Sequence, residues 1–298
     1  MSKVKIVCTS TGCIEYGPER YKSLGIDILR IHMIFKGKEY LEGPELDPVR
    51  FYEELETLED PKNNLPKTSL PSPAEIYAVF DKAIREGYDE MIIFCISSGL
   101  GGTYNAVCTF AKEYEDKIKI HVIDTRVTTL SEGYHAIRAV EMLNKGYTVE
   151  RILAETKWAI ENQAFIGVDA KLDYLIYNGR LKGAKAFMGQ MLKICPVLHF
   201  DENGDVVAME SVRTPKKALM RACEILKEKI GDRDPKDYVL FHVFTGSSLL
   251  NQLYEIEKKY DIQTNHEDVI MSPVSGCHNG PWLAGYGLYK IRREDEAL

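Results

Sequence analysis

The sequence predicts an α/β protein of two domains. The first is an N-terminal doubly wound parallel-sheet domain over residues 1–163. The second is a C-terminal mixed-sheet α/β domain over residues 164–298. Three observations carry this. Strand-like and helix-like segments alternate through the first half, the order that builds right-handed crossovers on a parallel sheet. A hairpin signal breaks that alternation in the second half. A chain of 298 residues has enough apolar surface for two cores.

The elements follow in order. Residues 4–8 form a short apolar-rich strand, followed by a polar, irregular stretch ending in a loop signal at Pro61, Asn63 and Asn64. Ser72, Pro73 and Glu75 then open a helix as N-cap, N1 and N3 of a capping box. Ile76, Val79, Phe80, Ala83 and Ile84 give that helix an apolar stripe, and Gly87 ends it. Residues 91–96 are a continuous apolar run of strand length, as expected of a central parallel strand. A helix to about Tyr114, a strand over 118–123 and a helix over 131–144 complete the first sheet. Ligands on such sheets bind beyond the carboxyl ends of the strands, where the loops after Ile96 and Ile123 lie. The second half reads as helix 148–162, strand 165–168, a short helix over 172–176, and strands 195–200 and 206–209 joined by an Asn-Gly turn. Helix 215–230, strand 239–244, helix 247–260 and a strand over 269–271 finish the chain.

Composition narrows the function. The net charge is −7, from 38 Lys and Arg against 45 Asp and Glu, with no long basic run. Nucleic acid and anionic surfaces are therefore not expected as general partners. The chain has neither an N-terminal apolar signal segment nor a run of 18 apolar residues, so a cytoplasmic protein is expected. The seven cysteines show irregular spacing and no C-x-x-C pair; they read as small buried hydrophobes. Cys277 beside His278 leaves a Cys–His nucleophile open. The histidines form no ligand spacing, and no metal site is expected.

Four segments carry chemistry. The loop from Ser97 to Tyr104 joins a strand to a helix and contains Ser97, Ser98, Gly101, Gly102 and Thr103. Its glycines and the helix N-terminus suit an anion, although the same residues also make a plain tight turn. It has neither a P-loop Lys nor a dinucleotide G-x-G-x-x-G. Thr68 and Ser69 precede the capped helix and are expected at its N-terminus, as ligand groups or as ordinary turn residues. Arg180 follows Gly179 in a polar break between apolar helices, suited to a carboxylate or phosphate or else a surface arginine. His278 sits in a glycine-rich stretch with Gly276 and Gly280, where packing alone gives it little reason to be.

Taken together these segments resemble the DegV family, whose members include the fatty-acid-binding subunit of bacterial fatty acid kinase. The resemblance runs from the first strand to Gly287 and rests on Thr68, Ser69, Pro71 and Ser72; on Ser97, Ser98, Gly102, Thr103 and Tyr104; on Gly179 and Arg180; and on His278, Gly280 and Pro281. Asp124-Thr125 matches a family Asp-Ser at a strand end. The resemblance implies two α/β domains with a long-chain fatty acid between them. It implies that the carboxylate is held by Thr68, Ser97 or Ser98, Arg180 and His278, with Ser69, Gly101, Gly102, Thr103 and Gly280 supporting them. It implies a separate ATP-dependent kinase subunit as partner, transient membrane contact for lipid exchange, no cofactor beyond the bound fatty acid, and no catalysis by this chain alone. The sequence departs from the family pattern at Thr9, Leu70, Gly101, Asn178 and Trp282. Gly101 replaces a serine, which bears on the head-group geometry.

The physics is consistent with a lipid. Burying about 14 methylenes gains on the order of 11 kcal/mol before association costs. A buried carboxylate needs matched donors. The chain has no Walker motif, kinase signature or acidic metal pair. Two other functions stay open: an enzyme acting on a small acyl or phosphorylated substrate, with Ser97 or Ser98 as nucleophile and His278 as base, and a binding module without lipid. No Gly-x-Ser-x-Gly elbow supports the enzyme.

Overall fold

The computed structural model describes residues 3–43, 45–186, 194–294 and 296. The first sheet contains β1 (Val4–Thr9), β2 (Asp27–Leu29), β6 (Glu90–Cys95) and β7 (Lys119–Asp124), in the order β2-β1-β6-β7 and parallel throughout. A small antiparallel sheet of β3 (His32–Phe35), β4 (Lys38–Leu41) and β5 (Lys67–Ser69) has β3 in its centre. The third sheet has β8 (Ala164–Asp169), β9 (Cys195–Phe200), β10 (Val206–Val212), β11 (Tyr238–Phe244) and β12 (Leu283–Lys290), in the order β10-β9-β8-β12-β11.

Successive residues of the parallel sheet point to opposite faces, and each face is covered. Val7, Met91, Ile93 and Cys95 pack with Ile76, Phe80 and Val107 from the helices Pro73–Arg85 and Thr103–Ala111. Ile6, Cys8, Ile92 and Phe94 pack on the helix Leu130–Asn144. That helix is buried along most of its length, because Phe165, Phe241 and Tyr289 of the third sheet lie in the same cluster. The two large sheets thus share one continuous core. The other face of the third sheet, with Ile166, Val168, Leu240 and Tyr286, packs on helices Pro215–Ile230 and Ser247–Tyr260. The expected break at 163/164 falls between the helix Val149–Asn162 and β8.

Several expectations need correcting. The third sheet is antiparallel in every pairing, not mixed, because β12 lies between β8 and β11 and runs against both. Residues 269–271 are not a strand; only the Met271 N–H is bonded across, to the Phe244 carbonyl at 2.9 Å. The stretch after β1 is not irregular: it holds β2 to β4 and the helix Pro48–Glu56, capped by Asp47. Pro61–Asn64 is a helical turn rather than a loop, since Pro fits the first turn of a helix. The capping box at Ser72 and Glu75 is present.

Candidate functional site

A cavity of about 310 Å³ lies between the parallel sheet's carboxyl end, the small sheet and the antiparallel sheet. One end is polar, with Thr68, Ser69, Arg180, His278 and Asn279; the body is apolar, with Ile96, Leu100, Leu175, Leu198, Phe200 and Val206 among its walls.

Each polar group is placed by local structure. Thr68 is a strand residue of β5, registered against Met33 of β3, and not part of a helix N-terminus; the helix begins five residues later at Pro73. Arg180 follows the helix Asp173–Tyr177, whose end is closed by a left-handed Gly179 at φ +69° and by an Arg180 N–H to Leu175 carbonyl bond of 2.9 Å. This Schellman-type ending turns the chain so that Arg180 faces the cavity. Its Nη1 donates to the Asn178 carbonyl at 2.7 Å. His278 follows the short helix Pro273–Gly276, which Ser72's counterpart here, Ser272, caps. Glu42, fully buried and pushed up to about 7 by that burial, accepts the Val274 N–H at 2.8 Å and fixes the same helix. Gly280 takes φ +75°, and a Cβ there would press the Tyr174 ring at 3.0 Å, so the turn after His278 requires glycine.

The electrostatics at this end are unbalanced. His278 Nε2 lies 3.3 Å from the Thr68 hydroxyl, and its buried Nδ1 has no partner among the described residues. Burial, and then the neighbouring Arg180 guanidinium, push His278 down to about 3, so its ring is neutral. A buried ring nitrogen without a partner costs stability unless something else meets it. Among the described residues that line the cavity, Arg180 is the one cation and none is anionic.

The Ser97–Thr103 loop divides. Gly101, Gly102 and Thr103 line the cavity, and the nine-residue helix starting at Thr103 has no side-chain N-cap. Ser97 and Ser98 do not line it. The fully buried Ser97 hydroxyl donates to the Gly204 carbonyl at 2.7 Å, and that of Ser98 to Asp124 at 2.5 Å. Both serines are therefore spent on holding the loop against the hairpin turn and the end of β7, which corrects the expectation of a head-group contact from either. They also make poor nucleophiles, since His278 bonds to neither. Cys277 is fully buried, its thiol donates to the Val274 carbonyl at 3.1 Å, and burial pushes it far up, so no Cys–His pair forms.

Sequence reasoning missed three features of the site. Asn279 lines the cavity one residue from His278, near the buried Asp169 of β8. Thr128 and Ser275 close one wall with a 2.7 Å hydroxyl pair. Phe165 and Phe200 meet edge to face in the cavity lining, on strand positions that look like ordinary core. None of these carries a local signal beyond its residue type.

A family model described as "Uncharacterised protein, DegV family" matches residues 3–290. The chain belongs to the DegV family. A DegV domain-containing protein of Listeria innocua is 32% identical over 285 residues, covering 95% of this chain and 97% of that one. The protein named "Fatty acid-binding protein" of Thermotoga maritima is 29% identical over 301 residues, covering 98% and 99%. The crystal structure of a fatty-acid-binding DegV family protein from Streptococcus agalactiae superposes with a TM-score of 0.87 at 28% identity, covering 98% of this chain and all of that one. The DegV fold, a parallel sheet and an antiparallel sheet around a shared helical layer, is thus this chain's fold. Among the described residues no helix is long and apolar enough to cross a membrane, and no group of three or more His, Cys, Asp or Glu could hold a metal ion.

Proposed function

We propose that this DegV protein binds one long-chain fatty acid and presents its carboxylate to a separate ATP-dependent kinase subunit, which converts it to an acyl phosphate. The observation that carries the reading is the unpartnered, buried Nδ1 of His278 beside Arg180 and Thr68, at the polar end of an otherwise apolar cavity. A carboxylate there gains the Arg180 charge, the Thr68 hydroxyl and an imidazole N–H, while its chain fills the apolar body. The relatives named for fatty acid binding support the same ligand class. The uncapped helix N-terminus at Thr103 suits the extra charge of a phosphorylated carboxylate. Phosphoryl transfer needs a held nucleotide and metal, and this chain's part is to hold the acceptor; it is a carrier, not a catalyst on its own.

Two measurements test this. Native and denaturing mass spectra of the purified protein differ by one fatty acid, lost on solvent extraction; protein that is apo and takes up no added fatty acid contradicts the reading. An assay with kinase, this protein and fatty acid forms acyl phosphate only when all three are present. Product from this protein without kinase contradicts the carrier role.

A further inference from the structure

Two aromatic rings stand in the apolar lining of the cavity. Phe165 of β8 and Phe200 of β9 stand edge to face, with centroids 5.0 Å apart and planes at 69°. Beyond the same two rings lies a second cavity of about 280 Å³. Phe165 and Phe200 line both spaces. The second cavity continues an apolar floor through Ile160, Ala164, Ile166 and Met209, but its rim carries Arg126, Glu161 and Lys229. A space with that polar rim takes water, whereas the apolar body on the His278 side does not.

The two rings are held differently. Phe165 lies over Gly167, where a Cβ would come within 2.7 Å of the ring, so Phe165 is fixed on the sheet face and only 5% exposed. Phe200 is half-buried at the base of the hairpin whose turn is tied to the Ser97 hydroxyl through Gly204. Phe200 is therefore the ring that can yield.

We propose that the Phe165–Phe200 pair is the partition that sets the length of acyl chain this site accepts, and that the second cavity is an overflow subsite for the ω-end of chains that displace Phe200. The inference rests on the fatty-acid reading and deepens it. While the rings meet, a chain running from the polar end stops against them in a dry space. A longer chain has to move Phe200 and send its tail into the wetter cavity, which removes the gain from its last methylenes.

The test is equilibrium binding of saturated straight-chain fatty acids of 12 to 22 carbons to the full chain, as wild type, Phe200→Leu and Phe200→Ala. Each newly buried methylene is worth about fourfold in affinity. For wild type, affinity climbs with length and then stops at a sharp break. For Phe200→Ala the break moves to longer chains, the longest acids gain about tenfold or more, and the shortest lose affinity as water enters. Phe200→Leu, which keeps apolar bulk, falls between. A wild-type affinity that rises steadily to 22 carbons overturns the partition without recourse to a variant. So does a length profile that Phe200→Ala shifts uniformly or leaves in place. Wild type that binds none of the acids overturns the fatty-acid reading instead, so the two failures are distinct.

Discussion

Two histidines in the C-terminal half sit in opposite circumstances. His242, on β11, has both ring nitrogens matched by carboxylates: Nδ1 by Asp268 at 2.8 Å and Nε2 by Glu257 at 2.7 Å. Burial opposes its charge, but the hydrogen bonds from Asp268 and Glu257 outweigh that and raise it to about 9. Tyr286 and Tyr254 donate to the same two carboxylates. His278 has a hydroxyl on one side, no partner among the described residues on the other, a cation nearby, and a cavity in front of it. A buried imidazole whose hydrogen bonds are complete holds a fold together. One whose bonds are incomplete, at the polar end of an apolar space, is waiting for an anion.

The largest effect should come from breaking the complete site. His242→Ala leaves Asp268 and Glu257 facing one another without their shared cation, and should cost about 3–5 kcal/mol in denaturant unfolding. The same group gives stability its pH dependence. Its folded value lies above the ordinary 6.5, so the charged ring's contribution is full below 6.5 and is lost as pH rises through about 9. The wild type should fall more steeply over that window than a His242→Gln protein, which keeps only the decline from other groups such as Glu132. Equal slopes for the two would mean that the ring is not charged.

The incomplete site should respond in the reverse way. His278→Ala and Arg180→Ala should change folding stability by less than about 1 kcal/mol, as their partners are few. Each should weaken fatty acid binding by about 1.5–3 kcal/mol and matched fatty alcohols by much less, since the lost contacts are to a carboxylate. Equal losses for acid and alcohol would place both residues in the scaffold.

A third buried polar cluster sharpens the contrast. Glu132 accepts from Thr9 and from Thr11, the latter at 2.7 Å, and its carboxyl is raised to about 8 by burial. With a folded value above the ordinary 4.5, its contribution is full below 4.5 and falls away as pH rises toward about 8. Glu132→Gln, which keeps the hydrogen-bonding shape, should flatten that fall by on the order of 3 kcal/mol while leaving ligand affinity unchanged. A lost affinity would show that this cluster is coupled to the cavity. Thr9, which departs from the family pattern, belongs here rather than at the site.

The smallest effect should come from Gly101, where the family resemblance leads serine to be expected. A Cβ at Gly101 meets nothing within 4 Å, and the residue lines the cavity. Gly101→Ser should therefore add a hydroxyl without strain and tighten acid binding by about 0.5–1.5 kcal/mol in calorimetry. No change would mean that this position lies beyond reach of the head group.

The alternation of strands and helices made the parallel sheet legible, because its central strands are continuous apolar runs. The antiparallel sheet was only partly so. Its strand β12 is interrupted by Gly285 and Gly287, which weakens a strand signal. A Cβ at Gly287 would meet the Phe241 ring at 2.3 Å and Ser131 of the buried helix at 2.6 Å, so packing against that helix requires the glycine that hides the strand. The small sheet escaped notice because β3, β4 and β5 run only three or four residues each, too few for an alternation to register. At the site, Thr68, Arg180 and His278 stood out because prolines and glycines punctuate their segments, and the fold brings all three to one cavity. Ser97 and Ser98 stood out for the same reason and misled, because which acceptor a hydroxyl meets depends on Gly204 and Asp124, both distant or unremarkable in sequence.

The most direct test of the central claim is a crystal structure of the protein loaded with palmitic acid. The account predicts the carboxylate within hydrogen-bonding distance of Thr68, His278 and Arg180, His278 Nδ1 or Nε2 engaged by it, and the chain running toward Phe165 and Phe200. A carboxylate at the Phe200 end, or a chain lying outside this cavity, would contradict it.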